Sequence, residues 1–415
     1  MKFLYLFFFE WVIRVLPLLG VVSPKVRHFL AGRAGIFSKL QEFRSAHPGR
    51  LVWFHVASLG EYEQARPVIT LLKSKQPQTR IVLSFFSPSG FDNTVKRPNP
   101  DLDFITYLPL DRKSWMEKFV TIMQPSEVFF VKYDLWAHLI AALKLRGIPM
   151  YLIAASFRKN QMYFSWYGGF FRKMLLDMDW IFTQNQRSVD LLRQLGISKV
   201  SLSGDTRFDR VAATAAAPKP LEEIKSWIDN RWVIVVGSAW EEDMRLLIPL
   251  INARENYKWI IAPHDLNPEP IDRWAQQISH SSKKYSNWTS ADSNSVLFID
   301  NIGMLSSLYQ FAHISYVGGA FGKGLHNILE PLGFGVPVIF GRVKRENKFP
   351  EASQAQLEGC GFSVEDEKGL ILVFSELEKE DIYQKSADSA KNWVNSNLGA
   401  ADRIVTFITS LNQTT

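Results

Sequence analysis

The chain has 415 residues, 47% hydrophobic and 21% charged, which is too long for one ordinary core and too apolar for a disordered segment. Its net charge of +7 is spread without a long Lys/Arg run, and no nucleic-acid motif accompanies it, which argues against nucleic acid and for an anionic membrane or substrate. A single cysteine, Cys360, excludes an internal disulfide, points to a reducing compartment and reads as a small core residue.

Residues 1–33 differ in character from the rest of the chain. Lys2, Arg14, Lys25, Arg27 and Arg33 face one acid, Glu10, and two apolar runs, Phe3–Phe9 and Trp11–Val22, are interrupted by Glu10, Arg14 and Pro17. No unbroken run reaches the ~20 residues of a spanning helix. Aromatic and aliphatic residues mixed with cations suit a segment lying in a membrane surface. A buried N-terminal core helix and a single anchoring span are the alternatives. No small-residue cleavage site is present after the apolar runs, so a signal peptide is not expected.

From residue 34 to 210, strands alternate with helices. Leu51–Val56 reads as a strand, Glu61–Lys73 as a helix and Ile81–Phe86 as the next strand. Glu127–Val131, a helix through Leu145 and Met150–Ala154 repeat the order, and 179–209 does so again. Such alternation implies a parallel sheet with right-handed crossovers. The Ala- and Pro-containing stretch VAATAAAPKPLEEI (211–224) reads as a linker, centred on 211–220. The pattern restarts with RWVIVVGSAWEEDM and continues to residue 415 through the short runs SVLFID, ISYVGG and PVIF. Ser386–Leu411 reads as one amphipathic helix, free to pack back on either half. The chain is therefore α/β, with two βαβ-type halves of roughly equal size on either side of the linker.

Ligands of open parallel sheets sit at the carboxyl ends of strands, so the loops there carry the candidate chemistry. In HVASLGEYE, Gly60 is expected to make a tight turn after Ser58, and Glu61 opens a helix where its anion is stabilised. Glu61 reads as a general base or as an ordinary first-turn acid. In VKYDLW, Lys132 and Asp134 flank a strand end, and Asp134 is alternatively a helix N-cap. Arg158 follows the next strand and suits an anionic ligand. In SGDTRFD, Arg207 can reach a phosphate or pair with Asp205 or Asp209. In VGSAWEED, Ser238 and the helix start form a candidate phosphate site. His264 ends a strand in APHD and is a ligand contact or a structural histidine.

YVGGAFGKGLHNILEPLGFGVPVIFG (316–341) holds seven glycines in 26 residues. Gly318, Gly319 and Gly324 are expected to let a nucleotide approach bare backbone. A helix starting near His326 would offer N–H groups to an anion, with Asn327 beside it. Glu330 would accept hydrogen bonds from ribose hydroxyls.

The order SLGE, KYDLW, SFR, SGDTRFD, GSAWEED, APHD and GGAFGKGLHNILEP resembles the Kdo (3-deoxy-D-manno-octulosonic acid) transferases, over nearly the whole chain. VASLGE is similar to that family's Ser-Val-Gly-Glu loop, and GGAFGKGLHNILEP is the closest match. Lys132 replaces the first acid of a Glu-x-Glu-Leu-Trp-Pro motif and Ala137 its proline. Trp240 stands near a family histidine and Pro263 near an arginine. The resemblance implies a GT-B fold, two Rossmann-like domains across a cleft: residues 34–210 for the acceptor and 221–415 for the donor, CMP-Kdo. It implies inverting transfer to the lipid A precursor, lipid IVA, on the cytoplasmic face of the inner membrane. It also implies no active-site metal and no cofactor. The residues agree on metal, since no acid pair follows a strand and no His/Cys cluster has ligand spacing. Glu61 would be the base. Arg207, Ser238, His264, Gly318, Gly319, Gly324, His326, Asn327 and Glu330 would bind the donor, and Ser58, Gly60, Lys132, Asp134 and Arg158 the acceptor. A soluble sugar-nucleotide epimerase of the same architecture and a nucleotide-sugar binding protein without catalysis are the other readings.

Overall fold

A parallel strand buried on both faces must be apolar throughout, and the apolar runs of the first half form strands for that reason. The computed structural model describes residues 2–322, 324–344 and 349–414; Lys323 of the glycine-rich loop lies outside them. The first half holds β1 (Leu51–Val56), β2 (Arg80–Phe85), β3 (Phe104–Tyr107), β4 (Glu127–Val131), β5 (Met150–Ala155), β6 (Trp180–Thr183) and β7 (Val200–Leu202). They pair in parallel in the order β3-β2-β1-β4-β5-β6-β7. The second half holds β8 (Val233–Ala239), β9 (Lys258–Pro263), β10 (Ser282–Lys284), β11 (Val296–Phe298), β12 (Ile314–Val317), β13 (Val338–Gly341) and β14 (Gly361–Val364). Their parallel order is β10-β11-β9-β8-β12-β13-β14. Strand order reverses between β1 and β4 in one sheet and between β8 and β12 in the other. Those are the switch points where open α/β sheets bind ligands.

The chain divides into two compact units, Met1–Arg210 with Leu398–Thr415, and Val211–Asn397. Two expectations change here. Residues 211–216 are helical, the end of Thr206–Ala216, because alanine is the best helix former, although the boundary between the units falls at 210/211, where the linker was expected. Ser386–Leu411 is not one helix. It breaks at Gly399, which has φ +90°, into Glu380–Ser396 and Ala400–Thr414. The second piece packs in the first unit, where Ile404, Val405 and Ile408 share a core with β1.

Four helices frame the first unit's start: α1 (Lys2–Val22), α2 (Pro24–Ala31), α3 (Ile36–Ala46) and α4 (Leu59–Lys75). α1 runs unbroken through Glu10, Arg14 and Pro17, so those residues do not divide the apolar segment. Its stretch Phe3–Val22 is long and apolar enough to cross a membrane. It is not a buried core helix: Ile13 is buried, but Phe3 and Val22 are 78% and 77% exposed. Arg33, grouped above with the surface cations, is structural. It donates to the carbonyls of Phe29, Phe86 and Leu108, and its guanidinium lies 3.7 Å from the Phe29 ring centre. That clamp ties the end of α2 to the loops after β2 and β3.

Candidate active site

At the β1/β4 switch point, α4 begins two residues earlier than expected. Ser58 is its N-cap, and Gly60 lies in its first turn with open space around it and no positive φ. Gly60 therefore makes no tight turn. Glu61 is the third helical residue, and its Oε2 accepts the Ala57 N–H at 2.6 Å. This backward reach is that of a capping acid, and it leaves Oε1 for other work. Burial pushes the Glu61 carboxyl above its usual range, and Asp134 adds to the rise. Ala57 N–H, Lys132 and His55 pull it back. A carboxylate held up in this way is a better proton acceptor than an ordinary exposed one.

Asp134 is held by a partner that sequence reasoning missed. His55, fully buried in β1, meets Asp134 Oδ2 through Nε2 at 2.8 Å and Ser84 Oγ through Nδ1 at 2.8 Å. Trp53 Nε1 donates to the same Ser84 oxygen. Every group is satisfied if Ser84 donates to Nδ1 and His55 donates from Nε2 to Asp134. The sequence signal for this chain was a histidine inside the apolar strand LVWFHV. Lys132 has φ +58°, a conformation that costs a non-glycine residue about 1–3 kcal/mol and that gathers at functional sites. Arg158, exposed after β5, is anchored by its N–H to Gln161. Arg207 forks onto Asp205, its Nε at 2.9 Å and Nη2 at 2.8 Å from Oδ2, and belongs to the first unit.

At the β8/β12 switch point, Ser238 also has a positive φ, +53°. Asp243, fully buried, accepts the N–H groups of Trp240 and Gly319 and the hydroxyl of Tyr316. The glycines serve this packing first. A side chain at Gly318 would overlap Asp243 and the Ser238 carbonyl, and Gly319 holds φ +96°. Both residues are buried, and the Gly319 N–H is already taken by Asp243. Bare backbone here is spent on the protein's own contacts.

The helix expected from His326 starts later. It is the five-residue Leu329–Gly333, and Asn327 Oδ1 accepts the Leu329 N–H. Asn327 Nδ2 donates to Glu330 Oε1 at 3.2 Å. Gly324 folds back on Gly319 through its N–H. His326 instead joins an aromatic cluster. Trp240 stacks on His264 at 4.1 Å and donates from Nε1 to His326 Nε2 at 3.1 Å. Burial and the neighbouring His264 lower the His326 pKa to about 4, so it is a neutral imidazole with Nδ1–H. Trp240, Ser238, His264 and His326 thus lie by the carboxyl ends of central strands in the second sheet, and Glu61, Lys132, Asp134 and His55 by those in the first.

The sequence profile of the 3-deoxy-D-manno-octulosonic-acid transferase (kdotransferase) family matches residues 30–210. The 3-deoxy-D-manno-octulosonic acid transferase of Haemophilus influenzae is 27% identical over 83% of this chain and 81% of its own length. That of Aquifex aeolicus is 27% identical over 79% and 85%. Among solved structures, the UDP-GlcNAc 2-epimerase of Neisseria meningitidis bound to UDP-GlcNAc superposes with a TM-score of 0.56, covering 87% of this chain and 99% of its own, at 18% identity. At that identity the likeness is one of fold alone, the GT-B arrangement of two parallel α/β sheets. Residues 30–210 thus match the Kdo transferase profile, and most of the chain is similar in sequence to Kdo transferases, a likeness that indicates a glycosyltransferase.

Proposed function

We propose that this protein moves Kdo from CMP-Kdo to the lipid A precursor, lipid IVA, at the cytoplasmic face of the inner membrane. The observation that carries the mechanism is Glu61: a carboxyl raised by burial, one oxygen anchored on Ala57 and the other available. An acceptor hydroxyl attacks the anomeric carbon, its proton passes to Glu61, and the bond to the CMP phosphate breaks with its electron pair leaving on phosphate. Attack opposite the leaving group inverts the centre. Lys132, Asp134 and Arg158 meet the acceptor, with Ser58 and Gly60 shaping the loop. Arg207, Ser238, His264 and His326 stabilise the departing phosphate, Glu330 accepts the ribose hydroxyls, and Gly318, Gly319, Gly324 and Asn327 hold that loop in shape. No step calls on a metal or a cofactor. The exposed apolar face of α1 keeps the enzyme at the lipid surface.

The test is transfer from CMP-Kdo generated in the assay to purified lipid IVA, read by mass spectrometry of the lipid. The wild type adds Kdo masses. Glu61→Gln folds, binds CMP and loses about 10²–10⁴-fold in rate, the range a positioned base contributes. Near-normal transfer by that variant sinks the base assignment, and no transfer by the wild type sinks the acceptor.

A further inference from the structure

α1 presents two faces. On one, Tyr5 donates to Asp111 at 2.9 Å, its ring lies 5.3 Å from Phe170, and Phe9 packs on Trp136 at 5.6 Å. On the other, Phe3, Phe7, Phe8, Trp11, Leu18 and Val22 are exposed, at the three- and four-residue spacing of a single helix stripe. The segment after β5 adjoins this helix. Its Phe170 and Phe171 rest on Tyr5, while its tip carries Trp166, 94% exposed, with Tyr167 and Met162 also exposed. An apolar depression lined by Leu4, Tyr5, Phe7, Phe8, Trp11 and Phe171 lies where α1 meets the base of this segment. Arg158 and Lys159, both exposed, precede the tip, whereas Arg172 donates to the Tyr163 and Ser165 carbonyls and Lys173 pairs with Asp177.

We infer that the Met162–Tyr167 tip is a second membrane-inserting element, forming with the outer stripe of α1 one apolar face that seats the protein in a single leaflet of an anionic bilayer. This rests on the reading of α1 as the membrane-docking helix. An anionic headgroup layer supplies counter-charge for the exposed Arg158 and Lys159, and exposed Trp and Tyr are the side chains that settle at that depth. The arrangement also decides how α1 meets the lipid. A spanning α1 would give up the Tyr5–Asp111 bond and the Phe9–Trp136 contact, whereas a helix lying in the surface keeps both. The tip leaves the carboxyl end of β5, the edge of the sheet that carries Glu61 and Asp134. A lipid-borne hydroxyl then has only to rise from the headgroup layer to the base.

The experiment places an environment-sensitive fluorophore on Trp166→Cys, Phe7→Cys and Leu145→Cys in the full chain. Cys360 is fully buried and its thiol is pushed up to about 12, so labelling is selective. Leu145, 78% exposed at the far end of the helix that follows β4, is the control. With vesicles of phosphatidylcholine and phosphatidylglycerol, the probes at 166 and 7 shift to the blue and are quenched by lipid-borne quenchers, and the probe at 145 is not. Trp166→Glu weakens partitioning about ten-fold or more while Trp166→Phe retains it. Immersion at 7 with an aqueous probe at 166 overturns this inference alone. An aqueous probe at both positions overturns the α1 reading with it.

Discussion

Two carboxylates on one switch point, Glu61 and Asp134, have unequal surroundings, and the difference can be read in a pH profile. A base works only when ionised, so the rate is full above its pKa and falls as pH drops through it. Burial and Asp134 raise the Glu61 pKa, while Lys132 lowers it. The acid limb of kcat/KM should therefore lie above the ordinary carboxylate range. Asp134→Asn removes a raising influence and moves the limb to lower pH, and Lys132→Met removes a lowering one and moves it to higher pH. Shifts in the same direction for both variants, or none, would show that Glu61 is not the group titrating. Glu61 could be found in the sequence because a first-turn acid after an apolar strand is a local signal. The His55–Asp134 contact could not. It joins residues 79 positions apart and exists only because β4 crosses over β2 and β3 to pair with β1. Trp240 is a similar case: read as the loss of a family histidine, it supplies the N–H that fixes His326 as an acceptor at Nε2.

Among the elements, strands buried on both faces were the most legible, since each is an unbroken apolar run. The short β3, β10 and β14 were not read, because three or four residues carry too little periodicity. The glycine-rich loop after β12 was legible as a loop, but not in its internal packing. Its glycines looked like room for a ligand, yet Gly318 makes room for Asp243 and the Ser238 carbonyl. That assignment has a thermodynamic consequence. Gly318→Ala forces a methyl against a carboxylate held by three donors and against backbone, neither of which can yield cheaply. It should cost about 1–3 kcal/mol, the usual penalty for overpacking, and lower the denaturant midpoint of the second unit accordingly. Gly322→Ala meets only Glu242, at 3.9 Å, and should leave the midpoint nearly unchanged. Equal stability of the two variants would mean that the loop relaxes freely and that the glycine at 318 is kept for a ligand instead.

The whole chain is two units of unequal continuity. The second, Val211–Asn397, is one uninterrupted segment with its own core, whereas the first needs residues from both ends of the sequence. Helix Ala400–Thr414 lies against α4. Asp209 accepts the N–H groups of Gly399 and Ala401 at 2.6 and 2.9 Å, and Arg403 donates to the Ser203 carbonyl. Burying Ile404, Val405 and Ile408 contributes about 1.5–3 kcal/mol apiece. Their sum, about 5–9 kcal/mol, is comparable with the ~5–15 kcal/mol that holds a whole domain. Residues 1–210 made alone should therefore fail to unfold cooperatively and should expose the apolar seat beside β1. Joining 398–415 to them through a flexible linker should restore a single sharp transition. Residues 211–397 should fold without help. Calorimetry of the three fragments checks this directly. A cooperative transition in 1–210 alone would mean that the C-terminal helix only decorates the first unit. Its absence, with recovery on adding the helix, would mean that the chain cannot complete its first unit until residues 398–415 are made.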